Sequence, residues 1–203
     1  YYRANLTIQK PAAYIIPQAY QEVLERLQWN GVAIQRLPRD STLTVEYYYI
    51  EDYETRRSPY EGHYLHYQVQ VRKDTLQQQF HAGDALVYTH QTSNPYLISV
   101  LEPQATDSYF AWNFFDGILM QKEHFSSYVF EDTAQEYLRQ HPELAAELAQ
   151  AKANDAQLAS SGRAQLNFIY ERSPYYEPTY RRYPVGRVLN PTSHSGQPTD
   201  QRK

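Results

Sequence analysis

Apolar and polar residues alternate with a period of two along two stretches of this chain. In the first, Leu43, Val45, Tyr47 and Tyr49 fall on one side of an extended backbone, and Thr44, Glu46, Tyr48 and Ile50 on the other. In the second, Leu65, Tyr67, Val69 and Val71 oppose His66, Gln68 and Gln70. Pro59-Tyr60-Glu61-Gly62 marks a turn between them. Phe80 then leads into His81-Ala82-Gly83-Asp84, a second turn, after which Ala85 to Thr89 resumes an extended run. Together these runs predict an antiparallel sheet that could form half of a sandwich.

The period changes on either side. Ala13-Tyr14-Ile15-Ile16 is a short apolar run, and Pro17 stands where a helix accepts proline at its first position. Tyr20, Val23, Leu24 and Leu27 share one helical face, Gly31 suits a left-handed C-cap, and Val32-Ala33-Ile34 is extended again. This order predicts an N-terminal β-α-β unit. Residues 94–158 read as mainly helical. A short element over Tyr96 to Leu101 stops before Pro103. Asp107 or Ser108 is placed to cap a helix through Phe110, Trp112, Phe114, Phe115, Ile118 and Leu119. Asp132 or Thr133 is placed to cap another with Ala134, Tyr137 and Leu138. Pro142 can open a third with Leu144, Leu148 and Ala151, whose thin apolar stripe predicts a helix lying on the surface or projecting. Leu166, Phe168 and Tyr170 alternate as a last strand, and residues 173–184 look extended. The fold class expected is α+β: an antiparallel sheet with an N-terminal β-α-β unit and a helical segment at about 108–158. A single domain over 1–189 and a flexible polar tail over 190–203 are the expected organisation.

Composition narrows the function classes. The chain has 203 residues and a net charge of −4, and its basic clusters are no longer than the pairs Arg56-Arg57 and Arg181-Arg182. That argues against nucleic-acid binding, which needs a concentrated basic face. No run approaches the roughly 20 apolar residues of a membrane-spanning helix. Without cysteine, disulfides, thiolate metal sites and thiol nucleophiles are excluded. The first residues, Tyr1-Tyr2-Arg3, show neither an initiator Met nor a signal-peptide pattern, so an excised fragment or mature product is expected. The unusual feature is tyrosine, present 21 times. Tyrosine suits half-buried sheets and wet interfaces, because its ring packs while its hydroxyl takes a partner.

No motif marks an active site. Glu61, His63 and His66 are the nearest approach to a metal-ligating cluster, but residues three apart on a strand point to opposite faces. His-Glu-x-x-His, His-x-x-Glu, Gly-x-Ser-x-Gly and phosphate-binding glycine loops are all absent. The expected site assignment is therefore no catalytic residue and no metal in this chain. The candidate interface or ligand surface is Tyr47, Tyr49, Tyr60, Glu61, His63, Tyr64, Trp112, Tyr175, Tyr176, Arg181 and Tyr183. Such a surface fits a neighbouring domain or, as the alternative, a glycan or cell-wall peptide. A free-standing enzyme would have to begin from Glu61, His63 and His66.

Several strings occur in order: Ala13-Tyr14-Ile15-Ile16-Pro17-Gln18, Pro59-Tyr60-Glu61-Gly62-His63, Leu101-Glu102-Pro103-Gln104-Ala105, Asp107 to Asp116, and Tyr183-Pro184-Val185. Over about residues 11–188 the chain resembles the region C-terminal to the catalytic domain of large bacterial zinc carboxypeptidases of the carboxypeptidase A-like class. The resemblance implies a hydrolase parent, secreted or periplasmic, in which a His-x-x-Glu pair and a distant His hold zinc in an upstream domain. None of those ligands maps onto this chain. What it implies here is an accessory domain without a cofactor of its own, whose partner is the upstream peptidase domain.

Overall fold

The computed structural model describes residues 6–121 and 124–189. The chain divides into two compact units, one built from residues up to Leu119 and from Arg181 onward, the other from Met120–Tyr180. The expected polar tail at 190–203 lies outside the described residues.

The first unit is a six-stranded open sheet with helices, which makes the protein α+β. Its strands are β1 (Ala13–Ile16), β2 (Gln35–Arg36), β3 (Ser41–Thr55), β4 (His66–Phe80), β5 (Ala85–Tyr88) and β6 (Gly186–Val188). They lie in the order β2-β5-β1-β6-β3-β4, and every neighbouring pair is antiparallel. Helix α1 (Gln21–Trp29) connects β1 to β2. Both strands run antiparallel to β5, which lies between them, so the predicted β-α-β unit is present but split by an inserted strand. The alternation over 41–80 becomes one long hairpin, β3 with β4. β5 does not join that hairpin; it crosses to pair with β1. Among the described residues no second sheet covers the first, so the sandwich does not form.

Period-two patterning explains how β3 is buried on both sides. Tyr48 and Ile50 pack in one core with Tyr14 and Ile16 of β1, Val23, Leu24 and Leu27 of α1, and Leu97, Val100 and Leu101 of α2 (Asn94–Leu101). Leu43, Val45 and Tyr47 pack in the opposite core with Ala13, Ile15, Leu86 and Val188, drawn from strands and their flanking turns. β6 threads between β1 and β3 because Gly186 has no side chain. A Cβ there would come within 2.9 Å of Ile15 and 3.4 Å of Val45.

Helix ends follow local chemistry. α1 begins at Gln21 rather than Pro17, because the Tyr20 N–H donates to the Pro17 carbonyl and closes a separate turn first. Its end matches expectation. Gly31 (φ 73°) donates to Gln28 O and Val32 to Leu27 O, the paired bonds of a Schellman cap, with Val32 packed in the core beside Leu27. The expected helix over 107–119 is corrected to one capped turn and a 3-10 turn. The Ser108 hydroxyl accepts from Ala111 N, and Trp112 N–H donates to Ser108 O. The turn stops at Asn113 (φ 67°), where Asn113 donates to Phe110 O and Phe114 to Tyr109 O. A 3-10 turn, Asp116–Leu119, follows.

The second unit contains α3 (Ser127–Gln140), α4 (Pro142–Asn154), α5 (Ala156–Ser160) and α6 (Gly162–Glu171). α3 is preceded by Ser126, six or seven residues ahead of the expected cap at Asp132 or Thr133. Pro142 does open α4, and of the two expected placements it lies on its unit, packing the thin stripe of Leu144 and Leu148 against Phe130, Ala134, Ile169 and Tyr170, and does not project. The predicted last strand is α6. Its start is capped by the Ser161 hydroxyl accepting from Ala164 N, and Leu166, Ile169 and Tyr170 share a helical face.

Candidate functional site

Tyr60 and His63 exchange both backbone hydrogen bonds, at 2.9 Å each way, across the two-residue turn Glu61-Gly62. Both turn residues have positive φ, 50° at Glu61 and 81° at Gly62, the geometry of a type I′ hairpin. Glycine accepts that geometry freely. An L-residue such as Glu61 pays about 1–2 kcal/mol for it. The turn fixes the Tyr60 and His63 side chains side by side.

Trp112 is delivered to the same place by the capped turn at Ser108. Its ring lies 6.1 Å from Tyr60 and 5.4 Å from His63, and His63 also stacks on Phe114 at 6.0 Å. The Arg26 guanidinium of α1 covers Phe114 at 4.5 Å and reaches the Trp29 ring at 5.9 Å. The result is a run of rings from Tyr60 to Trp29 across the first unit. Trp29 is 73% exposed, Tyr60 57% and the neighbouring Tyr64 51%. The Tyr60–Trp112 and His63–Trp112 planes are tilted by 56° and 76°. Those contacts make an uneven surface of edges and faces.

His66 holds this surface in place from beneath. It is buried, with Nδ1 2.9 Å from the Thr55 hydroxyl and Nε2 3.1 Å from Asp116 Oδ1. The Asn113 amide nitrogen is 3.2 Å from Nε2 and donates to Tyr64 O at 2.9 Å. A proton on Nε2 satisfies Asp116, and the Thr55 hydroxyl then donates to Nδ1. The His66 backbone N–H donates to Ala111 O. One residue therefore pins the 108–119 segment to the end of the β3–β4 hairpin. His63 and His66 serve different surroundings. Among the described residues no three His, Asp or Glu side chains converge to hold a metal ion.

A second polar group lies inside the first unit. Arg187 of β6 is 1% exposed. It pairs with Glu102 at 3.1 Å, with Glu46 of β3, and with the carbonyl of Gln9. The Tyr14 hydroxyl donates to the same Glu102 carboxylate at 2.7 Å. Burial raises the Glu102 carboxyl above its ordinary value, against the downward pull of the Tyr14 and Tyr48 phenols and of Lys73. Tyr48 exerts that pull without a hydrogen bond of regular geometry. Burial lowers Arg187 in turn. A charge set this deep orders the sheet centre and does not face solvent.

The remaining sequence candidates separate. Tyr60, His63 and Trp112 come together at the aromatic surface, and Glu61 and Tyr64 stand exposed beside them in the same turn segment. Tyr47 and Tyr183 are corrected to core residues, 3% and 0% exposed; burial pushes the Tyr47 phenol up to about 12. Tyr49 is half-buried beneath the Arg72 guanidinium at 4.2 Å. Arg181 (φ 57°) donates from its side chain to Glu51 O and from its backbone to Ile118 O. Tyr175 and Tyr176 belong to the second unit. Tyr176 packs on Tyr170, while exposed Tyr175 edges Phe130 and borders an open depression of about 370 Å³ with Asp132, Glu136 and Tyr137. Arg26, Trp29, Phe114 and Asp116 were missing from the sequence candidates. The signal for two of them was Arg26 and Trp29, three apart on a helix with Trp29 off its apolar face.

Comparison with known proteins gives one informative likeness. Over 107 residues, 53% of its length, the chain is 29% identical to a protein named carboxypeptidase 2 from Trichophyton tonsurans. This chain is similar to a carboxypeptidase. It spans about a fifth of that relative, the match covering 20% of its length. The relative is fungal, and its match does not bear on the bacterial parent expected from the sequence. No family model matches the chain, and no solved structure matches it. Among the described residues no helix is long and apolar enough to cross a membrane.

Proposed function

We propose that this chain is a non-catalytic domain of a carboxypeptidase-like protein, docking through its aromatic surface onto an upstream, zinc-bearing peptidase domain and shaping the substrate cleft there. The observation that carries the reading is the run of rings from exposed Tyr60 through half-buried His63, Trp112 and Phe114 to exposed Trp29, braced by His66 and Arg26. Aromatic anchors with interleaved polar groups are the usual centre of a protein–protein contact. The likeness to carboxypeptidase 2 supplies the kind of partner. A secreted or periplasmic parent belongs to the same reading. The tilted rings favour a protein surface over a glycan, whose flat faces call for aligned rings.

The test uses the full-length parent carrying Tyr60→Ala with Trp112→Ala. The expected result is a KM for peptide substrates raised at least about tenfold, the loss that a single interface anchor already predicts, with the fold of this domain retained by circular dichroism. Unchanged KM and unchanged melting of the peptidase domain would overturn the docking reading. Saturable binding of a cell-wall glycan to the isolated domain, lost in the same double variant, would replace it with the ligand-binding alternative.

A further inference from the structure

β4 stands at one end of the sheet, and among the described residues it pairs only with β3. Its backbone still has a second side. Ile50 N–H donates to Arg181 O, and Tyr48 O accepts from Tyr183 N–H, so these β3 residues turn their backbone away from β4. Tyr47 and Tyr49, which alternate with them, turn theirs toward their partners Asp74 and Arg72. Val71, Lys73, Thr75 and Gln77 therefore point their N–H and C=O groups outward. Both ends of this edge are closed from within the chain: Gln104 Nε2 donates to Val69 O, and Gln78 Nε2 to Gln79 O. The stretch between them stays open. It holds no proline or glycine, and its register with β3 runs without a bulge from Ser41/Phe80 to Ile50/Val71. A regular open edge is a template for a further strand.

We propose that this open edge of β4 binds the same segment of a second copy of the chain, antiparallel and centred on Lys73, so that two sheets join into one. The proposal does not depend on the docking reading above. A two-fold contact needs a strand complementary to itself, and charge selects the register. Arg72 and Asp74 lie on one face of β4, 3.8 Å apart. Centring on Lys73 sets each Arg72 opposite Asp74 of the second copy, in the position where cross-strand side chains approach most closely. On the other face Val71 meets Thr75, a β-branched pair. Centring on Arg72 or on Asp74 would put like charges face to face. Centring on Thr75 would leave the same two charges opposite Gln78 and Leu76. Lys73 meets its own copy on the axis, but each lies 3.6 Å from Glu46 of its own β3, which offsets the repulsion. At the other end of the sheet β2 is only two residues long, so pairing stops at two copies. One strand pair buries less than the roughly 1,000 Å² of a stable interface, which makes the dimer weak and reversible.

The test is sedimentation equilibrium of this chain from about 10 µM to about 1 mM, the range in which a contact of this size assembles. A monomer–dimer equilibrium is expected. Thr75→Pro removes one outward N–H and no bond to β3, and is expected to weaken association at least about tenfold. Arg72→Asp and Asp74→Arg each bring like charges together, and each alone is expected to stay monomeric. An equimolar mixture of these two variants restores both opposite-charge pairs and is expected to form a mixed dimer. The charge exchange keeps the test decisive if the proline loosens the hairpin. A chain monomeric throughout the range, association growing past the dimer, or a mixture no more associated than its two components would each overturn the proposal, as would unchanged association of a folded Thr75→Pro chain.

Discussion

The Arg187 guanidinium lies 3.1 Å from the Glu102 carboxylate, joining the final strand to the end of α2 with both side chains almost fully buried. Glu46 of β3 completes the set. Arg187→Met should therefore cost about 3–5 kcal/mol, because it strands buried carboxylates without a counter-charge. Urea unfolding checks this. Adding Glu102→Gln should recover part of the loss, and strictly additive costs in the double variant would show that the two residues are not coupled.

Alkaline pH should unfold the first unit abruptly. Burial raises the phenols of Tyr14, Tyr47, Tyr48, Tyr109 and Tyr183 above the ordinary value of 10, Tyr47 to about 12. In the unfolded chain these groups release protons near pH 10, while the folded chain still holds them. Stability is thus fully present below pH 10 and is lost as pH rises toward the folded values. Each such tyrosine contributes a slope of about 1.4 kcal/mol per pH unit. Several acting together exhaust a typical stability of about 5–15 kcal/mol within one or two units. Tyrosinate absorbance and circular dichroism should change together in one steep step; a gradual titration with the fold intact to pH 12 would contradict it.

Glu61→Asn should stabilise the isolated domain by about 1 kcal/mol, since asparagine tolerates the left-handed turn position far better than glutamate does. Thermal melting decides the point. A lower Tm would mean that Glu61 makes a stabilising contact at home and that its strain is repaid within the fold.

The second unit should be removable. Arg181 N–H donates to Ile118 O at 2.9 Å, so the two chain ends that bracket residues 120–180 already meet within the first unit. A chain joining Leu119 to Arg181 through a short glycine-serine link should keep its sheet and melt within about 5 °C of the full chain, a change of roughly 1 kcal/mol. Loss of cooperative melting would show that the sheet depends on the helices.

The hairpin, the Gly31 cap and the Pro142 start were legible because each rests on a local rule: alternation, a left-handed residue, a fixed proline φ. The α6 segment was misread because its residues satisfy two periods at once. Leu166, Phe168 and Tyr170 alternate, yet Leu166, Ile169 and Tyr170 also stand at helical spacing, and tertiary packing chose the helix. β6 was invisible, since Gly186-Arg187-Val188 has no apolar alternation and a buried arginine reads as a surface one. The aromatic site was half legible. The turn at Glu61-Gly62 announces itself in sequence, but Phe114, Arg26 and Trp29 reach it only through the fold. Tyr47 and Tyr183 show the converse, as tyrosine composition alone does not separate a core ring from a surface one.

β6 slots between β1 and β3, pairing Ala13 with Val188. On a ribosome the sheet must stay divided until residues 186–188 have emerged, because among the described strands the one that closes it is made last. Contacts so far apart in sequence form slowly. The helices of the second unit, whose contacts are local, have time to assemble while β1 and β3 still wait with open edges. Any chaperone need of the first unit falls in that interval, and the docking of Gly186–Val188 ends it.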